Sequence, residues 1–165
     1  MRLIIFLHGT VIMHPSASGR TREERVAQVR IGADPTLHQY VKYVPIDNAV
    51  AKLGRWREQG VQIDYLSSHR SSGDVAKDDL VLQRYGFPYG RVLARADGEG
   101  YGQIAAREMP DVLIEDDCES IGANEITYLQ IRPELRSRIK SIIIPEFGGI
   151  DHLPDASESL LTFES

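Results

Sequence analysis

Five short apolar runs punctuate the chain, at Leu3 to Leu7, Val61 to Leu66, Arg91 to Ala94, Val112 to Glu115 and Ser141 to Ile144. Each is followed by a turn signal and then by a segment with helical spacing, and this alternation predicts an α/β domain. The runs are close to continuous in hydrophobicity, which suits a parallel sheet covered on both faces. A helix is predicted from Asp47, an N-cap after Pro45, to Gln59, with Val50, Leu53 and Trp56 on one stripe and Gly60 as its stop. A second runs from near Ser72 to about Arg84, with Val75, Leu82 and Tyr85 facing inward, before Gly86 and Pro88 break it. A third covers roughly Gln103 to Glu108 and ends at Pro110. Residues 124–130 and 133–139 hold the last helical pieces, and the tail after Gly148 reads as irregular. Between Thr10 and Val44 a helical centre near Thr21 to Val29 precedes Asp34-Pro35, with no strand predicted.

Length and composition narrow the class. A chain of 165 residues has room for one core and not for a second full domain. No run approaches the roughly 20 apolar residues of a membrane span, so no membrane partner is expected. The apolar opening is followed by His8, Gly9 and Thr10 and not by a small-residue cleavage site, so no signal peptide is read there. Cys118 is the one cysteine, which rules out an internal disulfide and makes the cytoplasm the default compartment. A net charge of −5 argues against a nucleic-acid partner, whose phosphates demand a basic face. The cluster Arg20, Arg22, Arg25 and Arg30 alternates with Glu23 and Glu24 and reads as a solvated helix face.

In open parallel sheets, ligands bind beyond the carboxyl ends of the strands. Here the first strand delivers His8-Gly9-Thr10, the second Ser67-Ser68-His69-Arg70, and the fourth Glu115-Asp116-Asp117. Three consecutive acids repel one another unless something satisfies them. They read either as ligands of a hard cation such as Mg²⁺, or as a solvated loop and helix cap. Ser67 and Ser68 either cradle an anion or cap turns. His8 can act as acid, base, ligand or nucleophile, or serve as a hydrogen-bonded structural residue. The five histidines show no metal-ligand spacing among themselves. An esterase reading from Leu7-His8-Gly9 fails because no G-x-S-x-G elbow occurs, and a dinucleotide reading fails because a single glycine follows the first strand.

Together these strand ends resemble the haloacid dehalogenase superfamily, most of whose members are magnesium-dependent phosphatases. The family opens with a hydrophobic strand ending in D-x-D-G-T, where this chain has Leu3-Ile4-Ile5-Phe6-Leu7-His8-Gly9-Thr10. Its second motif, a Ser or Thr after the second strand, corresponds to Ser67. Its acidic pair after a hydrophobic strand corresponds to Glu115-Asp116-Asp117. The resemblance implies a three-layer, Rossmann-like α/β fold with a five-stranded parallel sheet in the order 5-4-1-2-3, helices on both faces, and residues 11–44 as a small insert where caps occur. It also implies a small phosphorylated molecule as partner, with Gly9, Thr10, Ser67, Ser68 and Arg70 as phosphate contacts. Glu115, Asp116 and Asp117 become Mg²⁺ ligands, and His8 and Ser67 the catalytic candidates.

The departures fall on the chemistry. Phe6 and His8 stand where the family carries its nucleophile and its general acid/base. The family's lysine should lie shortly before the fourth strand, where Gln103 stands, with Arg95 or Arg107 as the cationic substitutes. An ordinary aspartyl-phosphate mechanism is therefore closed to this chain. Two functions remain from the sequence: a divergent phosphohydrolase that uses His8, or a catalytically inactive domain that binds a phosphorylated ligand or a protein partner.

Overall fold

The computed structural model describes residues 1–164. Five parallel strands form the central sheet: β1 (Arg2–Phe6), β4 (Gln62–Leu66), β5 (Val92–Leu93), β6 (Val112–Asp116) and β7 (Lys140–Ile144). They lie in the order β5-β4-β1-β6-β7. Counted among themselves, that is fifth, fourth, first, second, third when read from the β7 edge. Two further strands, β2 (Ile12–Met13) and β3 (Val44–Pro45), pair antiparallel outside this sheet. No strand was expected there. Two residues are too short a run to leave a period-two signal, and Pro45 lacks the N–H that a longer ladder needs.

Side-chain alternation along β1 divides the core. Leu3, Ile5 and Leu7 face a layer built from α2 (Ala49–Glu58) and α3 (Ser72–Tyr85), packing with Leu53, Trp56, Val81 and Leu82. Ile4 faces the other way, onto α4 (Tyr101–Glu108) and the segment around α5 (Thr127–Gln130) and α6 (Pro133–Arg136), with Tyr101, Ile104 and Ile131. The result is three layers. On α3 the inward positions are Asp78, Val81 and Leu82, whereas Tyr85, expected inside, is exposed. Helix α2 starts at Ala49, later than Asp47, because Asp47 takes a left-handed backbone (φ 46°) that cannot open a helix.

Residues 11–44 carry α1 (Arg22–Ile31), opened by a reciprocal capping box between Thr21 and Glu24. They form a small cluster of their own, in which Met13, Ala17 and Val26 pack with Ile46 and Phe147. The arginines of α1 are not a purely solvated face. Arg22 bonds Glu119 and the Glu146 carbonyl, Arg25 the Phe147 carbonyl, and Arg30 Glu119. The tail is ordered against α2: Lys52 bonds Asp155, Trp56 Nε1 donates to the Pro154 carbonyl, and Leu153 and Leu160 are buried. Among the described residues no helix is long and apolar enough to cross a membrane.

Candidate active site

A cleft of about 340 Å³ opens between residues 11–44 and the carboxyl ends of the strands. Its outer wall is aromatic and apolar, with Met13, Leu37, Tyr40 and Tyr43. Its inner wall carries His8, Gly9, Ser68, Asp116 and Glu146, with Phe6 and Tyr101 to one side. Phe6 meets Tyr101 edge to face, with centroids 5.2 Å apart, so the place of the family's nucleophile is packed with hydrocarbon.

The acids at the end of β6 point different ways. Glu115 turns away from the cleft and accepts the Thr127 and Tyr128 N–H groups at 2.6 and 2.9 Å; burial pushes its carboxyl up, and those two bonds act downward. Asp116 and Asp117 instead meet Glu146, and one oxygen from each of the three lies within 4.8 Å of the others. Burial pushes Asp116 up to about 7; Thr10 Oγ1, donating at 2.8 Å, acts downward, and the nearby Glu146 acts upward again. Glu146 is likewise raised by burial, against two bonds from Ser120. Gly9 is required at this point. Its φ is +81°, and a Cβ there would lie 3.1 Å from both Asp116 Oδ2 and Glu146 Cγ.

A second cluster is built on Asp78, which is 1% exposed. Oδ1 lies 3.0 Å from His8 Nε2, while Oδ2 accepts from Ser67 Oγ at 2.5 Å and lies 3.1 Å from His69 Nδ1. Burial opposes ionisation of Asp78, but bonds from His69, His8 and Ser67 outweigh it and hold the carboxyl well below the usual range. His8 Nδ1 lies 2.8 Å from Ser68 Oγ and accepts the Ser68 N–H at 3.4 Å.

The expected phosphate contacts are not all on the cleft. Ser67 is fully buried with its hydroxyl committed to Asp78, and Thr10 is fully buried against Asp116. Arg70 reaches out to the Ala96 carbonyl at 3.5 Å. Gly9 and Ser68 do line the cleft. Of the cationic substitutes, Arg95 lies over the Tyr101 ring and bonds the Ser68 carbonyl at 3.0 Å, whereas Arg107 pairs with Glu99 and Glu108 away from the cleft. Gln103 caps the Gly100 N–H.

Sequence reasoning missed Asp78 and Glu146, and it placed His69 at the strand end without giving it a role. For Asp78 a signal existed: an acid three and four residues before Val81 and Leu82 lies on the helix's apolar stripe, where a charge must have partners. Glu146 had none, since it sits in an irregular loop after β7.

No protein-family model and no curated protein sequence matches the chain. Among solved structures it is similar to two of the class C acid phosphatase from Bacillus anthracis. One, with tungstate bound, has a TM-score of 0.55, and the other 0.56. Each alignment covers 99% of this chain and 79% of the phosphatase at 14% identity. That phosphatase is a haloacid dehalogenase superfamily member, and the likeness gives this chain a haloacid-dehalogenase-like fold.

Proposed function

We propose that this haloacid-dehalogenase-like domain is a divergent phosphohydrolase acting on a small phosphorylated molecule, with residues 11–44 as its cap. The observation that carries the reading is the meeting of Asp116 and Glu146 on the cleft wall opposite that cap, with Asp117 close beside them. Carboxylates held together where two of the three are buried are costly unless a cation offsets them, and an all-oxygen donor set suits Mg²⁺. Held there, a divalent cation would neutralise phosphoryl charge as a Lewis acid.

The chain's own residues supply the rest. His8, fixed by Asp78, exchanges protons with water or the leaving oxygen. Gly9 lets the ligand approach the backbone. The aromatic wall of Tyr40 and Tyr43 holds an apolar or ring-bearing part of the substrate and excludes water. A structural neighbour crystallised with tungstate bound, an oxyanion of phosphate-like shape, and the proposal extends an oxyanion ligand of that kind to this chain.

A second reading is favoured by Phe6. With no carboxylate at that position, the cleft binds a phosphorylated ligand and turns nothing over. Phosphate release from a panel of phosphate esters in Mg²⁺, for the wild type, His8→Ala and Asp116→Ala, decides between them. Turnover that both substitutions abolish supports the hydrolase. A Mg²⁺-dependent rise in melting temperature without turnover on any ester supports the binding domain, and neither response would remove both.

A further inference from the structure

The cleft holds a serine whose surroundings are those of an activated nucleophile. β1 and β4 are in register with Phe6 opposite Leu66, so the residues two positions beyond each, His8 and Ser68, leave the sheet side by side. Helix α3 then brings Asp78 up behind them. The order of contacts is Ser68 Oγ to His8 Nδ1 at 2.8 Å and His8 Nε2 to Asp78 Oδ1 at 3.0 Å.

The direction of proton donation along this line is fixed by its neighbours. A backbone N–H only donates, and that of Ser68 points at His8 Nδ1, so Nδ1 presents its lone pair. An ionised carboxylate only accepts, so Nε2 carries the proton toward Asp78. His8 is therefore the tautomer that can take the Ser68 hydroxyl proton, with a buried anion behind it to steady the imidazolium that forms. Asp78 is itself immobilised from its other oxygen by Ser67 and His69.

Other nucleophiles on or beside the cleft are less able. Phe6 has none to offer. Burial pushes the Cys118 thiol well above its usual range, keeping it protonated, and Thr10 and Ser120 direct their hydroxyls at Asp116 and Glu146. Of the two described serines lining the cleft, Ser68 alone has its hydroxyl on an imidazole, and the Tyr40 phenol, 3.4 Å from His38 Nδ1, has no buried carboxylate behind its histidine.

We propose that Ser68 is the nucleophile of this cleft, His8 its base, and Asp78 the residue that positions the imidazole. The inference rests on the phosphohydrolase reading only for the identity of the substrate. In the first step Ser68 Oγ bonds to phosphorus, its proton passes to His8 Nδ1, and the ester P–O bond breaks as the leaving alcohol takes that proton. In the second, water attacks the phosphoserine and gives a proton to His8. The P–Oγ bond then breaks, and Ser68 recovers its proton from the imidazolium.

The test is labelling of the full-length chain with a fluorophosphonate, in which Oγ displaces fluoride and which needs neither a cation nor a phosphate monoester. One equivalent on the Ser68 peptide of the wild type is expected, with none in Ser68→Ala. His8→Ala should label slower by roughly 10²-fold or more. Asp78→Asn should slow labelling and alter its pH profile, which a purely structural Asp78 would leave unchanged. Melting temperatures confirm that each variant is folded, and Ser68→Thr, keeping a hydroxyl, guards against a local packing effect. A folded wild type left unlabelled at Ser68, or labelling indifferent to His8→Ala, overturns the inference. Labelling at Ser68 without phosphate release strikes only the phosphohydrolase reading, and phosphate release without labelling strikes only the nucleophile.

Discussion

Asp78 and Asp116 are both buried carboxylates, and their surroundings push them in opposite directions. Asp78 is depressed by its bonds, so the stability it contributes is fully present above the unfolded value near 3.9 and is lost as pH falls below it. Asp116 is raised to about 7, so its protonated form is the stabilising one. Its contribution is complete below the unfolded value and is lost as pH rises through about 7, on the order of 4 kcal/mol at 1.36 kcal/mol per unit. In chelator, the melting temperature is expected to fall between pH 4.5 and 8. Asp116→Asn should flatten that fall, and Mg²⁺ at pH 8 should restore what was lost. A wild-type melting temperature that stays level across this range would show that Asp116 keeps an ordinary carboxyl in the folded protein.

Two helices meet closely where α4 passes α5. A Cβ on Gly102 would lie 2.3 Å from the Gln130 carbonyl oxygen and 2.4 Å from its carbon, both main-chain atoms that cannot swing aside. Gly102→Ala must therefore part the two helices and disturb the N–H groups of Thr127 and Tyr128 that satisfy Glu115. Urea unfolding should show a loss of about 1–3 kcal/mol. Gly54→Ala in α2, with open space around it, should gain up to about 1 kcal/mol from helix propensity. Equal effects from the two would contradict the close approach. At this scale the sequence was most readable. Runs such as Leu3 to Leu7 and Val112 to Glu115 are long and apolar enough to declare strands, and the order of the sheet followed from the resemblance. The two-residue strands β2 and β3 and the left-handed Asp47 depend on pairing and turns that no local period reports. The site was half legible: His8 and Ser68 follow strands and Asp116 ends one, whereas Asp78 and Glu146 join the site only through tertiary packing.

Across the whole molecule, residues 11–44 are tied to the loops after β6 and β7 by arginines as well as by apolar packing. Glu119 is the common partner of Arg22 and Arg30, which hold its carboxyl below the usual range. Exposed pairs of this kind are weakened by salt. The double variant Arg22→Ala, Arg30→Ala is expected to speed hydrogen exchange across 22–31 several-fold, and high salt should do the same to the wild type. The same variant should raise KM for any substrate more than it lowers kcat, and unaltered exchange would place the hold in Met13, Val26 and Phe147 instead. The tail has a different consequence. Trp56 and Gln59 bond residues 98 and 96 positions further along the chain, and Leu160 completes the core beside the first strand. On the ribosome, the flank of α2 that these residues roof stays open to water until about a hundred further residues, through Leu160, have been made. Mutations that delay or divert the tail therefore lengthen the time that face of α2 spends exposed to other nascent chains, even where the finished protein is as stable as before.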